Sequence, residues 1–209
     1  MKKRLFAMIL CIVISMVFAL GCSTDTSDSN NPTMQKVVLN EVAHSIFYAP
    51  MYVAIEEGYF EEEGIDLELV TGFGADKVMT AVISGEAQIG FMGSESSIYA
   101  YNEGAGDYVV NFAQLTQRAG NFLVAREKMD DFEWEDLKGT DVLGGRKGGM
   151  PQMVFEYILK QNGIDPAKDL NINQNIDFGS TAAAFSEGQG DYTVEFEPHA
   201  TALESEGKG

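Results

Sequence analysis

The sequence predicts an α/β fold with parallel-type sheets, and three observations predict it. Short segments rich in β-branched residues alternate with amphipathic helical segments. Glycine-containing turns separate them, in the positions where a strand hands over to a helix. The 209 residues are 45% hydrophobic, which is enough apolar side chain to bury a core.

"KVVLNEV", Lys36 to Val42, reads as a buried first strand. A loop with His44, Phe47 and Tyr48 follows, then a helix that accepts Pro50 in its first turn, where a missing N–H costs nothing, and that Gly58 or Gly64 closes. "IDLELV" is a strand, "TGFGAD" a turn and "ADKVMTAVISGE" a helix with Val78, Met79, Val82 and Ile83 on its apolar face. "AQIGFM", "GSES" and "SSIYAYNEG" repeat the pattern, and "YVVNFAQLTQ" and "FLVARE" are expected as strands. In the second half, "FEWEDLKGTDVLGG" predicts a short helix and a strand, "RKGGMPQ" a turn, and "QMVFEYILKQNGI" a helix with Val154, Phe155, Ile158 and Leu159 inward. "LNINQNIDFGS" is a strand and turn, "TAAAFSEGQG" a helix, "DYTVEFEP" a strand and "HATALESEG" a helix start. The expected organisation is a first lobe over residues 35–120 and a second over 121–209.

Residues 1–22 stand apart. Lys2, Lys3 and Arg4 precede an apolar run from Leu5 to Leu20, and "ALGC" ends at Cys22, which resembles a lipoprotein signal with Cys22 as the lipidated residue; Ala19 departs from the leucine usual there. The apolar run falls short of the about 20 residues a membrane span needs. Cys11 leaves with the signal, so no disulfide is expected in the exported part. Residues 23–34 are polar and small and are expected to form a flexible tether. The expected location is the extracytoplasmic face of the cell membrane, held by lipid. The net charge of −18, which deepens once the three basic signal residues are gone, disfavours a nucleic-acid partner and direct contact with an anionic bilayer.

Four turns stand at the carboxyl ends of strands, where helix N-termini point free N–H groups into a crevice. They are His44 to Tyr48, Gly72 to Asp76, Gly93 to Ser96 and Gly148 to Pro151, and all four are expected to face one cleft. Phe47 and Tyr48 read as an aromatic wall or as a staple at helix entry. His44 reads as a ligand contact or a satisfied polar residue. Ser94 reads as a helix cap, a ligand donor or both, beside Gly93 and Glu95. "RKGGM", Arg146 to Met150, lacks the GK[ST] ending of a phosphate loop, so Gly148, Gly149 and Met150 are read as backbone approaching a solute. Glu195 and Glu197 flank Phe196 on a strand and are expected to share a face. No nucleophile or metal ligand stands beside them.

"FYAPMYVAIEEGYFEEEGIDLELV" with "GADKVMTAVISGEAQIGFMGSESSI" resembles the N-terminal lobe of ABC-transporter solute-binding proteins of the thiamine-pyrimidine, nitrate, sulfonate and taurine group. "DLKGTDVLGGRKGGMPQMVFEYILKQNGIDP" resembles the start of their second lobe. The resemblance implies a type II periplasmic-binding fold, two α/β lobes closing over one solute, and it implies a second lobe that is truncated here, since family members are longer. It also implies a small-molecule solute, with permease and ATPase partners on separate chains and no cofactor or metal. The implied ligand contacts are His44, Phe47, Tyr48, Phe73, Gly74, Asp76, Met92, Gly93, Ser94, Glu95, Gln117, Gly148, Gly149, Met150, Glu195 and Glu197. The aromatic and acidic content of that set suits a thiamine-pyrimidine-like heteroaromatic. Arg118, Arg146 and Lys147 suit nitrate, a sulfonate or taurine instead. A related eukaryotic pyrimidine synthase is the enzymatic alternative, and the lack of its cysteine cluster counts against it.

Overall fold

The computed structural model describes residues 34–104 and 106–209. The expected signal, Cys22 and all of the expected tether but Met34 lie outside the described residues.

The first sheet has three parallel strands in the order β2-β1-β3. Strand β1 (Gln35–Glu41) is central, pairing Leu39 with Leu69 of β2 (Ile65–Thr71) and with Ile89 of β3 (Ile89–Phe91). As a strand covered on both faces, β1 buries Asn40 and Glu41 as well as Val37 and Leu39. The edge strand β2 alternates instead, with Asp66, Glu68 and Val70 outward. Ser45 caps a 3-10 turn, Ile46–Tyr48, by accepting the Phe47 N–H at 3.2 Å, and helix α1 (Ala49–Glu56) continues from it with Pro50 in its first turn. Gly58 and Gly64, both left-handed (φ 76° and 74°), bracket the one-turn α2 (Tyr59–Glu62) and return the chain to β2. Helix α3 (Ala75–Ser84) buries Val78 and Met79, and α4 (Glu95–Asn102) follows β3.

The second sheet has the order β4-β7-β5-β6. Strands β5 (Asp141–Leu143), β6 (Asn171–Asn173) and β7 (Tyr192–Phe196) run parallel, whereas β4 (Asn121–Ala125) is antiparallel to β7. The sheet is therefore mixed, where strand–helix alternation predicts a parallel one. Helices α5 (Met150–Gln161), α6 (Thr181–Ser186) and α7 (His199–Ser205) pack on it. Phe155 and Leu159 of α5 join Leu137, Val142, Ile164, Tyr192 and Val194 in its main core.

The expected strand at "YVVNFAQLTQ" does not form. Residues 108–117 carry no regular structure, and Val110 and Phe112 are 75% and 77% exposed. Among the described residues no strand pairs with this stretch, and β propensity without a ladder fixes nothing.

The two sheets are joined by an apolar seam. Val42, Ala43, Ala75 and Val78 from the first side pack with Phe178 and Phe196 from the second, flanked by Phe47 and Met92.

Candidate functional site

Along that seam lies a cavity of about 470 Å³. The loop after β1 supplies Ala43, His44, Ser45 and Ile46, and Tyr52 of α1 and Phe73 complete the first side. Phe178, Gly179, Glu195, Phe196, Pro198 and His199 form the other. No lysine or arginine is among these lining residues.

Two buried carboxylates organise the site. Glu41, at the end of β1, is fully buried and accepts from three sides: Tyr52 Oη at 2.6 Å, Thr71 Oγ1 at 2.9 Å and His44 Nδ1 at 3.1 Å. Tyr52 also stacks on the His44 ring at 4.5 Å between centroids, and burial, reinforced by the Glu41 carboxylate beside its hydroxyl, pushes that phenol above its ordinary pKa. His44 is thus held at the cavity wall by ring and carboxylate while its side chain stays 70% exposed. Glu195, on β7, is 1% exposed and accepts from Thr193 Oγ1 at 2.8 Å. Burial pushes its carboxyl up to about 6, against the opposing pull of the Thr193 and Thr181 hydroxyls.

Phe73 sits at φ 59°, a left-handed conformation that disfavours any side chain, and its ring is 41% exposed at the cavity. Gly179 gives it room, since a Cβ there would stand 2.9 Å from Phe73 Cδ1. Gly74 likewise admits Arg146, whose Cδ would lie 2.6 Å from an added Cβ. Arg146 forks onto Asp76, Nε and Nη2 both at 2.7 Å, and also meets Asp177 through Nη1. Lys77 meets the other oxygen of Asp177 at 2.8 Å. The guanidinium holds the Asp76 carboxyl below its ordinary range. This four-residue cluster crosses from the α3 side to the β5–α5 and β6–α6 turns, and Ser45 Oγ adds a bond to the Glu197 carbonyl oxygen at 2.5 Å.

Of the four expected turns, His44 to Tyr48 and Gly72 to Asp76 reach the cavity, whereas Gly93 to Ser96 and Gly148 to Pro151 contribute none of its lining residues. His44, Phe73 and Glu195 line the cavity. Phe47 packs behind it on Phe196, at 5.8 Å, and Met92 packs beside them. Tyr48 belongs to the first core rather than the wall: it is 6% exposed and lies 4.4 Å from the Phe91 ring. Asp76 is engaged by Arg146, so its acceptors face a neighbour and not open space. Ser94 is exposed and makes no side-chain cap to α4. Gln117 is exposed on the irregular stretch and does not line the cavity. The Gly148 N–H is taken by Gln152 Oε1 at 2.8 Å, and Gly149 and Met150 begin α5. Glu197 lies past the end of β7 and turns to α7, accepting the Thr201 N–H at 3.0 Å and its hydroxyl at 2.8 Å, so it does not share the Glu195 face. Glu41, Tyr52, Phe178 and His199 were not expected at the site. Only Glu41 had a sequence signal, an acid in an otherwise buried strand.

Residues 46–209 match the NMT1/THI5 like family. The Bacillus subtilis (strain 168) protein YtlA, named as a binding protein, is 50% identical over 196 residues, covering 94% of this chain and 57% of its own length. The Formylaminopyrimidine-binding protein of Halalkalibacterium halodurans is 31% identical over 62 residues, 30% of this chain and 19% of its own. Among solved structures, the periplasmic nitrate-binding protein NrtA of Synechocystis PCC 6803 superposes with TM-score 0.60 at 17% identity, covering 86% of this chain and 51% of that one. The periplasmic aliphatic sulphonate binding protein SsuA of Escherichia coli gives 0.57 at 18% identity, covering 83% and 58%. The chain thus spans little more than half the length of YtlA and of these structures, and over that span it has their periplasmic-binding-protein type II fold. On the match over residues 46–209, the chain belongs to the NMT1/THI5-like family.

Proposed function

We propose that this chain captures a small organic solute outside the cell for an ABC importer, with residues 35–120 and 121–209 as its two lobes and Cys22 as its lipid anchor. The permease and ATPase are separate chains, and no covalent chemistry is required, because closure and release are the function. The observation that carries the reading is the cavity at the seam, with the buried Glu195 on one side and His44, held by Glu41, on the other. Phe73, Phe178, Phe196 and Tyr52 offer π faces, and Glu195 offers an acceptor, or a donor when protonated. With no lysine or arginine in that lining, a neutral or weakly cationic heteroaromatic of the thiamine-pyrimidine type fits better than nitrate, a sulfonate or taurine. The partial relative that binds formylaminopyrimidine supports the same choice.

A thermal-shift screen tests it, because a ligand at about 100 times its dissociation constant adds about 2.7 kcal/mol to folding stability. Stabilisation by aminopyrimidines is expected. Stabilisation by taurine, alkanesulfonates or nitrate, with none from pyrimidines, would reverse the assignment.

A further inference from the structure

The hydrogen bonds around Glu41 fix more than the place of His44. Glu41 is the last residue of β1 and none of its side chain reaches solvent, so its oxygens depend on the chain for every partner. Thr71 Oγ1 and His44 Nδ1 both reach Oε1, and Tyr52 Oη reaches Oε2. The Ser45 N–H donates to the same Tyr52 oxygen at 3.1 Å and occupies one of its lone pairs, so the phenol's own proton goes to Glu41. A carboxylate accepts and cannot donate. The His44 contact is therefore completed only when the imidazole carries its proton on Nδ1.

That assignment leaves the other ring nitrogen bare. In a neutral imidazole with its proton on Nδ1, Nε2 is a lone-pair acceptor, and among the described residues it has no hydrogen-bond partner. The Tyr52 ring, tilted by 33°, covers one face of the imidazole, and the imidazole lines the cavity. Glu41 itself lines none of the cavity and sits in the strand, ahead of the turn that carries His44. Its effect on a solute passes through the histidine.

We propose that Glu41 is a positioning residue: it locks His44 with its proton on Nδ1 and so makes the first side of the cavity a hydrogen-bond acceptor. A solute bound there brings an N–H or O–H to Nε2, as the amino group of an aminopyrimidine does, whereas the oxygens of nitrate or a sulfonate would meet a lone pair. This consequence rests on the cavity being a solute site; the lock does not, and it is read without a solute.

The chain has two histidines, so long-range proton–nitrogen NMR gives two imidazole patterns, and His44→Gln shows which one belongs to His44. At about pH 8.5, where free imidazole is neutral, the unmodified 209-residue chain is expected to show His44 as the Nδ1–H tautomer, the reverse of free histidine's preference. Glu41→Met keeps much of the side chain's volume without an acceptor and is expected to return His44 to Nε2–H. Tyr52→Phe keeps both the stacked ring and Glu41, and is expected to leave the tautomer unchanged. Calorimetry then compares 4-aminopyrimidine with pyrimidine, which lacks the amino donor. The unmodified chain should prefer the amino compound about tenfold, and Glu41→Met should lose that preference. A His44 in the unmodified chain with its proton on Nε2 or on both nitrogens, or a folded Glu41→Met that keeps Nδ1–H, would overturn the proposal. If Glu41→Met fails to fold, the spectra of the unmodified chain and of Tyr52→Phe decide, and loss of Nδ1–H in the latter overturns the assignment to Glu41. Equal affinity for the two pyrimidines would overturn the acceptor role. If neither pyrimidine binds while the tautomer is as expected, the solute reading falls and the lock stands.

Discussion

Replacing Glu195 by glutamine removes a titrating group from the cavity wall with almost no change in volume. In the folded chain burial moves this carboxyl from 4.5 up to about 6. That gap corresponds to about 2 kcal/mol between the two protonation states. Because the folded value lies above the unfolded one, the stability linked to this group is fully present below the unfolded value of 4.5 and is lost as pH rises through about 6. The unmodified chain should therefore lose about 2 kcal/mol relative to Glu195→Gln between pH 4.5 and pH 7.5, most of it around pH 5 to 6. Urea unfolding of both proteins at four pH values across that interval measures it. His44 and His199 line the same cavity and are retained in both proteins, so the difference between the two curves isolates Glu195. A difference that stays constant with pH would refute the reasoning, since it would mean that the carboxyl is solvated well enough to titrate as in the unfolded chain.

Arg146→Ala removes the fork onto Asp76 and the contact with Asp177; Asp76 is 48% exposed, so screening limits the loss to about 1–2 kcal/mol. The melting temperature should fall by about 3–6 °C at low salt and by less in about 1 M NaCl, and a drop independent of salt would sink the ionic account. Phe73→Gly should hold or raise the melting temperature, because glycine relieves about 1 kcal/mol of left-handed strain, while weakening the response to any pyrimidine that stabilises the unmodified chain. A marked loss of stability instead would mean that the ring serves its packing against Gly179. Cys22→Ala should abolish incorporation of radioactive fatty acid during growth, and label persisting in the variant would remove the proposed anchor.

Local order was legible wherever side-chain period and backbone chemistry agreed. Gly58, one of the two glycines read as closing the helix after Pro50, follows α1 in a left-handed conformation, and the apolar face of α5 could be read from Phe155 and Leu159. Strand direction was not legible, because no residue of β4 says that its neighbour β7 runs the other way. The stretch at 108–117 misled, since Tyr108, Val109, Val110 and Phe112 have strand chemistry without a strand to join. At the site, the turns were predictable from strand–helix order, but which side chains face the cavity depends on contacts between residues more than 100 positions apart. Ser45 with Glu197 and Phe47 with Phe196 are such contacts. Asp76 looked like a ligand acceptor only because its partner Arg146 stands 70 positions away.

Among the described residues the chain passes from the first sheet to the second once, between Asn102 and Asn121. Much of that passage lies open to solvent, with Leu115 56% and Tyr108 54% exposed, the kind of segment proteases select. A single cut there would sever the only described thread between the halves and turn their docking from an intramolecular event into a bimolecular one. The two pieces would then stay together through Arg146, Ser45 and the packed aromatic rings, and dilution, which leaves the intact chain unaffected, would pull them apart.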